Sequence, residues 1–265
     1  MTHIGRVRPN NEDVFLALEF DQHEVRFLGK TGESSLANAD FIFAVSDGMG
    51  GAKSGEFASR FAVDRITRLL PRHFQRTAKR DIAPDHFTAI LGQLFTAIHA
   101  DLLKLGFSYE ECAGMGATLT LAWLTPSQLT FAHLGDSRLY HLRPNGGLTQ
   151  LSHDHTHVGW LRREGKLNER EARAHPMRNV LHHALGAGHQ FVDPHFGFVQ
   201  HKPGDRFVLC SDGVTDGLWD RQIEELVIAP PLDRRSEAPA RRLVEEAVRQ
   251  SGRDNATAVV LELAE

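Results

Sequence analysis

The sequence predicts an α+β fold centred on antiparallel sheet, in one domain spanning residues 1–265. Apolar, strand-like runs follow one another across short turns, helical periodicity is confined to two pairs of segments, and no Pro/Gly/Ser-rich linker divides the chain. Strands joined by short turns pair antiparallel, because parallel neighbours need a long crossover between them.

Residues 14–19 and 41–46 read as strands. Residues 54–70 then switch to helical period, with Phe57, Ala58, Phe61, Ala62, Ile66 and Leu69 on one face and Ser54 as the expected cap. A polar stretch, 75–85, separates this helix from a second one carrying Phe87, Ile90, Leu91, Leu94, Phe95, Ile98 and Leu102. Strands follow at 118–124, 128–134 and 138–143. The last turns through Pro144-Asn145-Gly146-Gly147 into a strand at 148–151, and Asn-Gly is a strong hairpin signal. Residues 155–187 are polar and read as an excursion of short helices. Strands return at 192–199, 206–211 and 257–263. Helices at 221–228 and 236–250 lie between the last two, the second with Leu243, Val244, Ala247 and Val248 on one face.

Composition narrows the function. At 41% hydrophobic and 24% charged, the 265 residues match an ordinary soluble globular protein. No apolar run approaches the roughly 20 residues of a membrane span, and Met1-Thr2-His3-Ile4-Gly5-Arg6 is no hydrophobic signal. Two cysteines, Cys112 and Cys210, make neither a disulfide framework nor a four-thiolate zinc site. A cytoplasmic monomer is expected. The net charge of −4 gives no reason to expect nucleic acid as a partner.

Four aspartates stand where an apolar strand meets a turn: Asp47 with Gly48, Asp136 after Gly135, Asp212 with Gly213, and Asp254 before Asn255. A buried strand ending in a carboxylate is costly unless something pairs with the charge. Carboxylates crowded together repel and shift toward protonation unless cations neutralise them. All-oxygen ligation suits Mg²⁺ or Mn²⁺, whereas zinc wants nitrogen or sulfur. Two such ions about 4 Å apart can orient a phosphate for in-line displacement. Arg8-Pro9-Asn10-Asn11-Glu12-Asp13 adds two carboxylates and an arginine whose planar fork suits phosphate oxygens.

Six motifs now stand in order: Arg8-x-x-x-Glu12-Asp13, Asp47-Gly48-Met49-Gly50-Gly51, Gly114-Met115-Gly116-Ala117-Thr118, Gly135-Asp136-Ser137-Arg138, Ser211-Asp212-Gly213 and Asp254-Asn255. In these the chain resembles, over nearly its whole length, the metal-dependent serine/threonine protein phosphatases, type 2C, in their bacterial form. The resemblance implies an αββα sandwich of two central antiparallel β-sheets flanked by pairs of α-helices. It implies two core Mn²⁺ or Mg²⁺ ions held by Asp47, Asp212 and Asp254 with the backbone carbonyl of Gly48. Asp136 would hold a weaker third ion, sharing Asp212. Arg8 would bind substrate phosphate, while Glu12 and Asp13 would order metal-bound waters. Residues 155–187 would form the flap beside the active site.

The implied activity is hydrolysis of phosphoserine and phosphothreonine in proteins by direct attack of a metal-bridging hydroxide, opposing a cognate serine/threonine kinase. The alternative is an inactive phosphoprotein-binding module of the same fold. A third reading is a regulatory phosphatase acting on one small partner. Met49 stands where eukaryotic members carry a histidine suspected as general acid, so a metal-bound water or a nearby histidine would protonate the leaving group. Members also have an edge strand before the arginine motif, which this chain would lack or carry further upstream.

Bland readings compete at several positions. Gly135-Asp136-Ser137 would also make a hairpin turn, and Glu12 and Asp13 could cap a strand. Gly50 and Gly51 turn the strand into the helix rather than cradle phosphate, and Gly114-Met115-Gly116 allows close packing. His153-Asp154-His155-Thr156-His157 and His182-His183 match no zinc spacing and read as solvated or substrate-facing. Cys210, inside an apolar strand, reads as buried filler.

Overall fold

The computed structural model describes residues 1–21, 24–37, 39–51, 54–77 and 84–264, apart from the side chains of 71–77 and 84–85. The chain opens with β1 (Thr2–His3), β2 (Asp13–Phe20), β3 (Val25–Phe27) and β4 (Asp40–Met49). Two long helices follow, α1 (Ser54–Thr77) and α2 (Pro84–Ser108). Next come β5 (Gly116–Ala117), β6 (Leu119–Leu124), β7 (Leu129–Leu134), β8 (Arg138–Leu142) and β9 (Leu148–Gln150). The flap contributes α3 (His157–Arg163), α4 (Glu169–Ala174) and β10 (Leu185–Gly186), leading to β11 (His195–Val199) and β12 (Arg206–Cys210). The C-terminal part holds α5 (Asp212–Gly217), α6 (Asp220–Ile228), α7 (Pro239–Gln250) and β13 (Ala256–Glu262).

One sheet orders β10-β5-β4-β6-β7-β11, with β2 also paired to β4 and β3 to β2; the other orders β1-β13-β12-β8-β9. Every ladder is antiparallel. Strand periodicity decides what each face buries. In β4, Ile42 and Ala44 pack under α1 and α2 with Leu91, Phe95 and Trp123, whereas Phe41, Phe43 and Val45 turn to the space between the sheets. In β12, Val208 and Cys210 pack toward α5 and α7, while Phe207 and Leu209 meet the phenylalanines of the other sheet. Three apolar layers between four structural layers make the expected αββα sandwich. Each fully buried Leu or Phe in them contributes about 1.5–3 kcal/mol.

Several expectations are corrected. The edge strand is present within the chain: Thr2 and His3 pair with Thr257 and Ala256, too few residues for a period to show. The first helix runs on to Thr77, and the polar separator falls partly on 78–83, outside the described residues. Ser54 lies inside α1 and gives its hydroxyl to the Glu111 carbonyl at 2.9 Å, so it is not the cap. The segment His86–Ser108 has the length and mean hydropathy, 1.2, of a membrane-crossing helix. Its Phe87, Ile90, Leu91, Leu94, Phe95, Ile98 and Leu102 lie in the core against the first sheet. Gly135-Asp136-Ser137 is not a hairpin, because β7 belongs to the first sheet and β8 to the second. It is the crossover between them. The hairpin at Asn145-Gly146 does form, pairing Leu142 with Leu148 and Tyr140 with Gln150.

Candidate metal centre

The period that builds the inter-sheet core also builds the site. Phe15 and Ala17 of β2 face that core, and so does Asp13 two residues earlier. Phe41, Phe43 and Val45 of β4 continue to Asp47, which is the direct cross-strand partner of Asp13. Directly opposite residues of an antiparallel pair share a face. From the second sheet, Phe207 and Leu209 lead to Ser211, whose hydroxyl donates to Asp13 Oδ2 at 2.6 Å. Asp212 follows as the first residue of α5, and Asp254 stands two residues before β13. Asp136 arrives on the β7–β8 crossover. Strand ends from both sheets thus deliver four aspartates and Asp13 to one end of the sandwich.

Two glycines permit this crowding. A Cβ on Gly48 would sit 1.9 Å from the Gly55 carbonyl oxygen, and one on Gly213 would sit 1.9 Å from that of Asn255. The same tripeptide, Ser-Asp-Gly at residues 46–48 and 211–213, thus presses its backbone onto a neighbouring segment at both places.

Burial, then the charges of Asp13, Asp212, Asp136 and Asp254, holds Asp47 well above the usual carboxylate range. Asp212 is raised as strongly, by burial and then by Asp136, Asp216, Asp254 and Asp13. Burial pushes Asp13 up to about 6 against its bond from Ser211. Asp136 rises to about 7 through burial and Asp154, with Arg138 opposing. Asp13 Oδ1 and Asp212 Oδ1 are buried without a partner among the described residues. Unpartnered carboxylate oxygens among like charges are what a hard divalent cation satisfies. Among the described residues, no group of three His, Cys, Asp or Glu side chains is already drawn together tightly enough to hold a metal ion. An open carboxylate rim suits Mg²⁺-like ions, which keep several waters and take few protein ligands.

The N-terminal loop completes the rim. Arg8 Nη2 donates to Asp254 Oδ2 at 2.6 Å, with the guanidinium half exposed. Glu12 lies against the first turn of α1, where a Cβ on Gly55 would approach its Oε2 to 2.7 Å. Asn255 holds the loop. Its Oδ1 accepts from the Glu12 amide at 2.7 Å, and its Nδ2 donates to the carbonyls of Ile4 at 2.8 Å and Asn10 at 2.9 Å.

Beside the carboxylates lies a cavity of about 60 Å³ lined by Asp136, Arg138, Asp154, Arg173, Asp212 and Asp216 among others. Asp216 lies one helical turn after Asp212 on the same face of α5 and raises both Asp212 and Asp136. Arg138 grips Asp154 at the root of the flap with Nε and Nη2, at 2.6 to 3.0 Å. Its Nη1 donates to the Tyr140 hydroxyl, which donates to Asp220, each at 3.0 Å. Arg162 of α3 donates to Asp220 as well. The flap is therefore anchored to the second sheet and α6 by a buried polar network.

The family model for protein phosphatase 2C matches residues 30–255. The chain belongs to the protein phosphatase 2C family. It is 35% identical to the serine/threonine protein phosphatase PstP of Mycobacterium tuberculosis over 234 residues, 87% of this chain and 42% of that relative. This chain therefore spans less than half the length of that curated relative. It is 30% identical to the serine/threonine phosphatase stp of Listeria monocytogenes over 262 residues, 98% of this chain and 93% of the relative. Among solved structures, the catalytic domain of a PstP in complex with two manganese ions superposes with a TM-score of 0.75 at 30% identity, over 100% of this chain and 96% of that one.

Within this protein phosphatase 2C chain, the structure brings together all the residues singled out in sequence: Arg8, Glu12, Asp13, Asp47, Gly48, Asp136, Asp212 and Asp254. It adds Ser211, Asp216 and Asn255. The histidines of the flap take other roles than solvation alone. His153 stacks on His195 at 3.7 Å, and His155 stacks on His133 at 5.1 Å. The His155 backbone and ring meet the Gly135 carbonyl and amide, at 2.7 and 3.1 Å, so His155 fixes the crossover that carries Asp136. Burial lowers His155 to about 4, and a ring neutral at pH 7 supplies no proton there. Cys210 is fully buried, as expected of filler, and burial pushes its thiol up to about 12.

Proposed function

We propose that this chain is a metal-dependent phosphatase acting on phosphoserine and phosphothreonine in proteins. The observation that carries this is the convergence of buried Asp13 with half-buried Asp47, Asp136 and Asp212, mutually repelling, beside an exposed guanidinium at Arg8. Mn²⁺ or Mg²⁺ would be held by Asp47, the Gly48 carbonyl, Asp212 and Asp254. A weaker third ion would lie between Asp136, Asp212 and Asp216. When bound, the ions neutralise phosphate charge and supply the attacking oxygen. The chain's own residues do the rest. Arg8 orients the phosphate, and Ser211 fixes Asp13 in the orientation that faces Asp47. Asn255 keeps Arg8 and Glu12 at the rim, and Gly48 and Gly213 let the backbones close on it.

No carboxylate of the set is replaced, which argues against the inactive phosphoprotein-binding module. Phosphoserine and phosphothreonine arise by phosphoryl transfer to hydroxyls, so a serine/threonine kinase is the partner that supplies the substrate. Two free cysteines, one fully buried, support a reducing, cytoplasmic setting.

Phosphate release from a phosphothreonine peptide tests the reading. Activity should vanish in EDTA and return as Mn²⁺ is titrated back. A folded protein that stays inactive at every metal concentration would defeat it.

A further inference from the structure

Next to the carboxylates the surface changes sign. Arg173 of α4, Arg178 in the turn after it, and Arg253 before β13 line an open pocket of about 240 Å³ with Asp216 and Ser251. Arg173, Arg178 and Asp216 also wall the cavity that holds Asp136 and Asp212. The basic pocket and the candidate metal centre therefore share a partition, and Arg253 is bonded in the chain to Asp254.

Three guanidinium groups line this pocket beside one lining carboxylate, Asp216, with Glu169 also pairing with Arg173. Arg173 is held rigid. It donates to the Leu218 carbonyl, lies 3.4 Å from Glu169 and stacks 4.1 Å over the Trp219 ring. Arg178 forms a loose ion pair with Asp216 at 3.8 Å, and its guanidinium makes no side-chain hydrogen bond among the described residues. Arg253 is exposed and makes no ion pair among the described residues. Planar guanidinium forks with free donors suit bidentate capture of a carboxylate or phosphate.

We propose that this pocket is an anion subsite for a residue flanking the phosphorylated side chain of a protein substrate. The inference rests on the phosphatase reading and adds a substrate class: phosphopeptides acidic on one flank. An extended peptide advances about 3.3–3.6 Å per residue, so an anion one to three residues away lies about 4–11 Å from the reacting phosphate, the reach of a neighbouring subsite.

The test compares phosphothreonine peptides whose flanks carry Glu, a second phosphothreonine or Gln, with p-nitrophenyl phosphate as the flankless substrate. Wild type should show kcat/KM about fivefold higher for an anionic flank than for Gln, the upper range of an exposed ion pair, and the advantage should shrink in high salt. Preference for Glu identifies a carboxylate as the natural anion, preference for the second phosphate identifies phosphorylation, and either supports the subsite. Arg178→Ala with Arg253→Ala should erase the preference for an anionic flank over Gln, Arg253→Ala alone should weaken it with p-nitrophenyl phosphate turnover unchanged, and Arg253→Glu should invert it. Equal rates on all three peptides in wild type, or a preference that survives the double substitution, would overturn the subsite. Mn²⁺-independent silence on every substrate would instead defeat the phosphatase reading and take this inference with it.

Discussion

At the scale of single residues, Arg8 and Asp254 illustrate how the site is poised. The guanidinium sits on a rim carboxylate at 2.6 Å, so the phosphate-binding and metal-binding groups are already adjacent. A charge-assisted bond of this kind is worth about 1.5–3 kcal/mol. Arg8→Ala should therefore raise KM for a phosphothreonine peptide about tenfold or more and change kcat less. Steady-state kinetics would show it, and an unchanged KM would remove Arg8 from the phosphate site. Asp47 and Asp212 were legible in sequence because they recur in order with four other motifs, although a lone Asp-Gly is usually only a turn. Asp216 was not, since its position depends on α5, a six-residue helix holding two glycines, which helical propensity disfavours. Asn255 was equally silent about its role. Its partners at residues 4, 10 and 12 are more than 240 positions away.

At the scale of elements, the β12–α5 junction does most to shape the rim. Gly213 lets the start of α5 approach the Asp254–Asn255 segment, and its Cβ would lie 1.9 Å from a carbonyl oxygen that cannot swing aside. Gly213→Ala should cost about 1–3 kcal/mol of stability by overpacking, and should separate Asp212 from Asp254 enough to abolish Mn²⁺-dependent turnover. Thermal melting and phosphate release read both effects. A variant with wild-type melting and activity would show that the junction tolerates displacement. Long strands and helices were legible because each buries a face with its own period, as in β4 and β12. β1, β3 and β10 have only two or three residues each, too short for any period. The β7–β8 crossover looked like a hairpin because turn chemistry is local, whereas sheet membership is set by distant pairing: β8 with β12, β7 with β6 and β11.

At the scale of the whole molecule, two sets of partly buried titratable groups pull stability in opposite directions. The raised carboxylates, Asp13 at about 6 and Asp136 at about 7 with Asp47 and Asp212 also high, favour folding while protonated. Their unfolded counterparts ionise near 3.8, so this contribution is lost as pH rises toward 7 and beyond. His155 and His195, lowered to about 4, are neutral in the fold and lose stability as pH falls from 6.5 toward 4. Metal-stripped protein should therefore melt lower at pH 8 than at pH 6.5. Mn²⁺ at about a hundredfold above its Kd should raise Tm by about 5–10 °C, more at pH 8 than at pH 6.5. A Tm in EDTA that is flat from pH 6 to 8 would deny the carboxylate repulsion. The most direct test of the shared claim, that these strand ends converge to hold divalent ions, is calorimetric titration of Mn²⁺ into metal-stripped wild type and Asp212→Asn. Wild type should bind about two ions per chain, and the substitution, with its circular dichroism unchanged, should weaken that binding at least tenfold. Asp212→Asn binding Mn²⁺ as wild type does, or wild type showing no saturable uptake, would contradict the account.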